Sequence, residues 1–574
     1  MTASQSIVAA AKKNFEVLAQ SILAAVSNAV AVEAHEWTGN NVARPGEESS
    51  SGGAADQVVP KTICDGCIGA VSSALERSLQ SLPASKDQGS SLKLAARRMQ
   101  ALLKQLDRQF SSLPWREVPR SWRRCSTDAS LLYVCAVICK MLFCDWPTSI
   151  EDPTWDRLEP FLIQLRDLIR TLDLCLIVTG APGCDRRDYV HALIKILQTL
   201  HSCSSDVQAK DGSLQAGAAP SSGPTRKKAR IDTRDGAAVP DRATLPGPVR
   251  AQAEVPELPE EPDLMSFLER HSHRPFVVRN WAREWPARLP SHESTVDAFA
   301  HNDILQARWE SGDYLRRLAG VGRVVPVEIG RAYTDTEWTQ DIISWDEFLL
   351  RAGWEDTQQE DHGRSTASES QDRAPTTYLA QHTILTQFPE LACDMMRPDL
   401  VYSCPPAPTW MPEYQAPQDT EHGGGEDVIV NAWIGPAGTL SPAHTDPYYN
   451  LYVQVVGEKH FWLAPPYANE KGGMYHFSSG TTASGSTTTR EDLPSSGATD
   501  SNMENTSQLE VFAPTVCGAS EGANSDDPFP LFTEHVEPEA MSTILYPGDL
   551  LYIPPKWWHS VKSLSRSISI SHFF

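Results

Sequence analysis

The period of the hydrophobic positions changes part-way along the chain. Between about residues 5 and 205 they recur at three- and four-residue spacing. Leu18, Ile22, Leu23 and Val26 form one such stripe, and Leu92, Leu94, Met99, Leu102, Leu103 and Leu106 form another. That spacing gathers apolar side chains on one helix face. Residues 159–200 are dense in Leu and Ile with Arg interspersed, and predict more helix. Residues 38–62, polar and rich in Gly and Ser, read as a loop inside an all-α N-terminal domain over 1–205. Residues 206–255 are rich in Gly, Ala, Ser and Pro, and predict a disordered linker. From 256 onward the texture is short β-rich runs separated by turns: 275–279, 323–328, 428–433, 450–463, 542–546, 549–553 and 565–570. Two helices, near 263–271 and 344–352, interrupt them. Many short strands with Gly/Pro turns predict a β-sandwich or jelly roll over 256–574. The polar tracts 356–374 and 468–530 read as disordered insertions in it.

Charge sharpens this division. The 574 residues include 73 acidic and 50 basic side chains, a net of −23. Residues 251–574 hold 47 acidic against 20 basic, a net of −27, whereas residues 1–250 hold 26 against 30, a net of +4. The C-terminal half should repel nucleic acid and attract cationic ligands such as basic peptides, unless the charge serves solubility alone. No apolar run reaches ~18 residues, so no membrane span is expected; the longest candidate, 131–144, is broken by Lys140. The first residues, with Lys12 and Lys13 inside the apolar stretch, lack the order of a secretory signal. Twelve cysteines in so long a chain do not form a disulfide scaffold, which points to a reducing compartment. Cys64-Asp65-Gly66-Cys67 is a lone CxxC without the second pair a zinc site needs. Arg226-Lys227-Lys228-Ala229-Arg230 suits a nuclear import signal as well as a plain solvated charge run, so a nuclear or cytoplasmic location is expected.

The sharpest local feature is Ser441-Pro442-Ala443-His444-Thr445-Asp446. On a strand, residues i and i+2 share a face, so His444 and Asp446 can converge on one atom. Two imidazoles and a carboxylate leave three positions open on an octahedral metal, the arrangement of non-haem Fe(II) oxygenases. The second imidazole comes from elsewhere, and Gly548-Asp549-Leu550-Leu551-Tyr552-Ile553-Pro554-Pro555-Lys556-Trp557-Trp558-His559 supplies it. The alternative is a structural hydrogen-bonded pair of His444 with Asp446.

With these motifs, residues 256–574 resemble a Jumonji C (JmjC) domain, and within that family the JmjC domain-containing protein 5 type, described as lysine-specific demethylase and as arginyl hydroxylase. Val325-Pro326-Val327-Glu328-Ile329-Gly330, Tyr333-Thr334-Asp335, Tyr378-Leu379-Ala380-Gln381-His382 and the stretch 431–450 carry the likeness. The resemblance implies a double-stranded β-helix (cupin-like) oxygenase using Fe(II), 2-oxoglutarate and O2, with the metal on His444, Asp446 and His559. It assigns Lys459 to the C5 carboxylate of 2-oxoglutarate, and Tyr378, Ser441 and Asn450 to donors around that co-substrate. It assigns Glu328, Trp338, Gln381 and Trp433 to an arginine pocket, in which a carboxylate fork and tryptophan faces suit a guanidinium. Alternatively the tryptophans are core residues and Glu328 a solvated one. The implied activity is arginine hydroxylation in a basic peptide or protein, for example a histone tail. The rivals are demethylation of methyl-lysine and a non-catalytic chromatin-binding role. The helical domain is expected to bind a protein partner. His572 stands where the family usually has an aromatic residue, which leaves the packing of the last strand open.

Overall fold

The computed structural model describes residues 3–32, 68–80, 86–113, 117–145, 155–215, 248–290, 306–335, 337–354, 376–417, 428–476, 505–513 and 528–574. The CxxC, the basic cluster and the 356–374 tract lie outside the described residues.

Among the described residues, six long helices make the N-terminal half: α1 Ala3–Val32, α2 Ala70–Gln80, α3 Lys86–Phe110, α4 Arg120–Lys140, α5 Trp155–Thr179 and α6 Arg186–Gln215. Their apolar stripes meet in one core that includes Phe15, Ile22, Leu75, Met99, Leu132 and Leu193. The stripe on α3 is narrower than the sequence implies: Leu92, Met99, Leu102 and Leu106 are buried, but Leu94 is 50% exposed, because two residues on from Leu92 lies round the helix. The continuous run expected over 159–200 is two helices, broken at Gly180, whose φ is +71°. Contrary to the expectation of none, the helical stretch Arg120–Cys144 is long and apolar enough to cross a membrane. Here 78% of its most apolar window is buried within the structure, packed as the bundle's central helix. A buried Asp128–Arg186 pair, 3.1 Å apart, and a Thr127–Thr179 hydroxyl contact of 2.9 Å fasten it there.

The expected linker is shorter than 206–255 at both ends. Helix α6 continues to Gln215, since an established helix extends through polar residues at little cost. At the far end Arg250 pairs with Glu537 at 2.8 Å, and strand β1 (Ala253–Glu254) adds to a sheet.

The C-terminal half is the expected jelly-roll, cupin-like β domain with flanking helices. Its strands are β1, β2 (Glu257–Leu258), β3 (Phe276–Val278), β4 (Val324–Ile329), β5 (Thr339–Ser344), β6 (Thr377–His382), β7 (Ile429–Gly435), β8 (Leu440–Thr445), β9 (Asn450–Val456), β10 (Lys459–Ala464), β11 (Met541–Leu545), β12 (Leu550–Ile553), β13 (Trp558–Ser563) and β14 (Ser567–Phe573). One sheet runs β1-β11-β10-β13-β8 and the other β2-β3-β12-β9-β14-β7-β6-β4-β5. Strand β9 is buried along its whole length, which explains the unbroken apolar run Leu451-Tyr452-Val453. Helix α7 (Gly312–Ala319) was not foreshadowed by the periodicity; α8 (Trp345–Arg351) was, and Ser344 caps it by accepting from the Glu347 amide at 3.2 Å. The helix expected over 263–271 is a single α turn, Leu264–Ser266, running into a π turn, Phe267–His271.

Two further expectations change. His572 is fully buried in β14, between β7 and β9, with Nδ1 3.3 Å from the Leu451 carbonyl oxygen; burial lowers its pKa to about 4, so a neutral imidazole fills the aromatic position. Within the tract expected to be disordered over 468–530, residues 505–513 pack on the edge of β8. The Thr445 amide donates to Asn505 at 3.1 Å and the Ser507 amide to Ala443 at 2.7 Å. Polar composition conceals this segment because part of its stabilisation comes from an open strand edge, with only Leu509 and Val511 entering the core beside it.

Candidate metal centre and co-substrate cavity

His444 is the penultimate residue of β8, and Asp446 follows just past the strand's end. Strand β13 runs antiparallel to β8 with His559 directly opposite His444. The Lys556 amide donates to the Asp446 carbonyl at 2.7 Å, which locks the corner before β13 onto the carboxylate-bearing residue. The two imidazole centroids are 4.3 Å apart, and His559 Nε2 is 3.5 Å from Asp446 Oδ2. One ligand atom from each of the three residues lies within 4.8 Å of the other two.

The donor set fits a divalent metal in its detail. His444 Nδ1 is 2.8 Å from the Pro442 carbonyl oxygen, and His559 Nδ1 is 3.0 Å from that of Trp557. A carbonyl only accepts, so each Nδ1 carries the proton and each Nε2 keeps its lone pair for the shared centre. Burial, helped by the neighbouring His559, pushes His444 down to about 4, so it is neutral and able to ligate. Burial raises Asp446, but its interactions with His559, His444 and Lys556 outweigh that and leave the carboxyl below its ordinary range.

The triad opens onto a narrow cavity also lined by Tyr378, Ser441, Asn450, Tyr452, Phe461 and Ser571. Lys459, the first residue of β10, is fully buried behind it. The turn that aims it inward needs Gly457: φ is +71°, and a Cβ there would collide with the Arg566 carbonyl. Lys459 Nζ donates to Tyr452 Oη at 2.9 Å and to Tyr378 Oη at 3.2 Å, and no carboxylate pairs with it among the described residues. Burial alone lowers its pKa to about 7. An ammonium so placed needs a counter-anion. Asn450 stands in the same wall with its Oδ1 unpartnered, and its side-chain N–H2 is the group able to donate to a carboxylate there. These residues fit a small carboxylate reaching from the metal to Lys459.

The residues expected to hold an arginine gather less tightly. Glu328 sits on β4, opposite Tyr378 of β6. Trp338 Nε1 donates to Glu328 Oε2 over 3.4 Å. Burial raises the Glu328 pKa, only partly offset by that indole. Trp433 lines the cavity, but its indole N–H goes to Ser571 Oγ at 2.8 Å and its ring faces Tyr378, 6.4 Å between centroids. Gln381 is exposed, in the left-handed region at φ +50°, where β6 slips register against β7; no hydrogen bond joins it to Glu328.

Three participants escaped the sequence reading. Tyr452 shares a strand face with Asn450, two residues on, so the period-two rule could have found it. Tyr333 lies within electrostatic reach of both Asp446 and Glu328 and is raised to about 12, chiefly by burial. Its hydroxyl is 3.2 Å from Thr506 Oγ1, a residue in the polar tract that carries no sequence signal.

The model of a cupin-like domain matches residues 269–574. The chain is 31% identical over 300 residues to lysine-specific demethylase JMJ30 of Arabidopsis thaliana, covering 52% of this chain and 49% of that protein. It is 32% identical over 302 residues to lysine-specific demethylase 8 of Danio rerio, covering 52% and 53%. It is 29% identical over 348 residues to Jumonji C domain-containing protein 5 of Drosophila melanogaster, covering 59% and 66%. The chain thus spans about half the length of the curated relatives it matches. A cupin-like match over more than half of the residues, with JmjC proteins as the relatives and a His-Asp-His group at its centre, means that the chain belongs to the cupin-like JmjC family.

Proposed function

We propose that this chain is an Fe(II)- and 2-oxoglutarate-dependent protein hydroxylase whose substrate is an arginine side chain in a basic peptide or protein. The observation that carries the reading is the pairing, across one cavity, of a metal-ligand triad with an uncompensated buried ammonium, Lys459. The arginine specificity rests on Glu328, a half-buried carboxylate with a tryptophan N–H on one oxygen and, among the described residues, no cation on the other.

His444, Asp446 and His559 would hold the iron, which with 2-oxoglutarate and O2 supplies the oxidising power for C–H hydroxylation. The protein's own groups do the rest. Lys459, with Tyr378 and Tyr452, fixes the far carboxylate of 2-oxoglutarate and so sets how its keto-acid end meets the metal. Trp433 and Phe461 keep water from the cavity wall. Glu328 draws a guanidinium inward, which points the carbon chain of the arginine at the metal. The overall balance is one O2, one 2-oxoglutarate and one C–H giving one C–OH, succinate and CO2.

Demethylation of methyl-lysine is the second reading, favoured by the names of the Arabidopsis and zebrafish relatives. The two differ in product. The full-length chain, given Fe(II), 2-oxoglutarate and 18O-labelled O2, should transfer one labelled oxygen to an arginine peptide for each succinate formed. Release of formaldehyde from a methyl-lysine peptide, with the arginine peptide untouched, would establish the second reading instead.

A further inference from the structure

The helical half does not merely precede the β domain; it is fastened to the strands that carry the proposed substrate residues. At the start of β4, Arg323 Nε lies 3.0 and 2.9 Å from the two carboxylate oxygens of Asp173, on α5, and its NH2 is 2.8 Å from Oδ1. The same carboxylate accepts the Val324 amide at 2.9 Å. Both side chains are buried, 4% and 0% exposed, so the pair is shielded from water.

On its other side the Arg323 guanidinium donates to the Gln387 carbonyl at 2.6 Å and stacks over Phe388, 4.4 Å from the ring centroid. The Gln387 amide in turn donates to the Val324 carbonyl, and its Oε1 is 2.7 Å from His382 Nε2. Strands β4 and β6 pair directly only at Glu328–Tyr378 and Ile329–Thr377. At their opposite ends they splay, and Asp173, Arg323, Gln387 and His382 fill the gap. The chain of contacts ends beside Gln381, whose left-handed backbone holds only if its surroundings impose it. Gly320 lets the helical half approach this closely: its φ is +73° and a Cβ would strike the Gln198 amide, which donates to the Ala319 carbonyl at 2.9 Å.

We infer that Asp173 is a positioning residue for the substrate side of the site: through Arg323 and Gln387 it holds β4 and β6, and with them Glu328 and Gln381, in register. The metal side depends on β8 and β13 in the other sheet. In kinetic terms the inference rests on the hydroxylase reading; in structural terms it stands apart from it.

The test uses the full chain and two variants, Asp173→Asn and the charge-neutral double variant Asp173→Asn/Arg323→Gln, which leaves no lone buried charge. Hydrogen exchange resolved by segment should speed up at least about tenfold over 324–329 and 377–382 while 440–445 and 558–563 keep wild-type protection. With whichever peptide the wild type oxidises, peptide KM should rise at least about fivefold, with Mn(II) affinity unchanged. Equal acceleration in all four segments, or in none, would overturn the inference. If the wild type oxidises no arginine peptide, the arginine reading falls and the exchange pattern alone still decides this one.

Discussion

The two sides of the cavity are built by different means. On the metal side, His444, Asp446 and His559 come from two adjacent antiparallel strands of one sheet, and each imidazole is oriented by a carbonyl two residues before it. Every constraint there is local or one ladder away. On the other side, Glu328 of the proposed substrate pocket and Tyr378, which also reaches Lys459, occupy strands near the end of the larger sheet that pair directly at only two positions. A buried ion pair with the helical half supports them. A site built from a ladder tolerates loss of distant parts; a site held by tertiary props does not. This predicts that damage should separate the two functions, oxidant generation and substrate choice.

The largest effect belongs to the metal side. Asp446→Ala should lower metal affinity and succinate formation by more than about 100-fold, with or without peptide, because it removes a ligand outright. Calorimetric titration with Mn(II) under anaerobic conditions would read it. Retained wild-type affinity would dissolve the triad.

Lys459 comes next. Lys459→Met should weaken 2-oxoglutarate binding by about 2–5 kcal/mol, since the co-substrate's carboxylate would be buried without its partner. The ligand-free variant should melt higher than the wild type, because a buried uncompensated ammonium is lost. The pH dependence follows from the lowered pKa. With the folded value at about 7 and the unfolded value near 10.5, the ligand-free fold bears no cost above about pH 10.5. The cost grows as pH falls towards 7 and is constant below it. Binding of 2-oxoglutarate needs the charged form, so its affinity should be flat below about pH 7 and weaken as pH rises above it, with proton uptake. Titrations in buffers of different ionisation enthalpy would detect that proton; flat affinity from pH 6 to 9 would argue against the pairing.

Glu328→Gln should be more selective. It keeps the shape, removes the charge, and should cost about 2–5 kcal/mol of arginine-peptide affinity while peptide-independent succinate formation is preserved. Because burial raises this carboxyl, wild-type peptide affinity should fall as pH drops through a value above the ordinary carboxylate range. The comparison would break if Glu328→Gln and Asp446→Ala lost the same activities in the same proportion.

The contrast also explains what the sequence made legible. His444 and Asp446 are visible because a strand's period of two brings them together within three residues, and His559 because a turn-strand-proline corner precedes it. The jelly roll is visible because its central strands alternate or run apolar. Strands β5 and β6 are not, since 339–341 is polar at an edge and β6 is bent by a residue at φ +50°. The packed segment 505–513 gives little periodic signal because backbone pairing, indifferent to side-chain type, helps hold it on β8 and its buried apolar residues are few, Leu509 and Val511. The Asp173–Arg323 pair joins residues 150 positions apart, and no local pattern encodes such a contact.

The most direct test of the account is a single competition. An arginine peptide and its methyl-lysine counterpart, equimolar, are given to the full-length chain with Fe(II), 2-oxoglutarate and O2, and the products are sequenced by tandem mass spectrometry. The account predicts one added oxygen on a side-chain carbon of the arginine and an unchanged methyl-lysine. Loss of the methyl group with an unmodified arginine would contradict it.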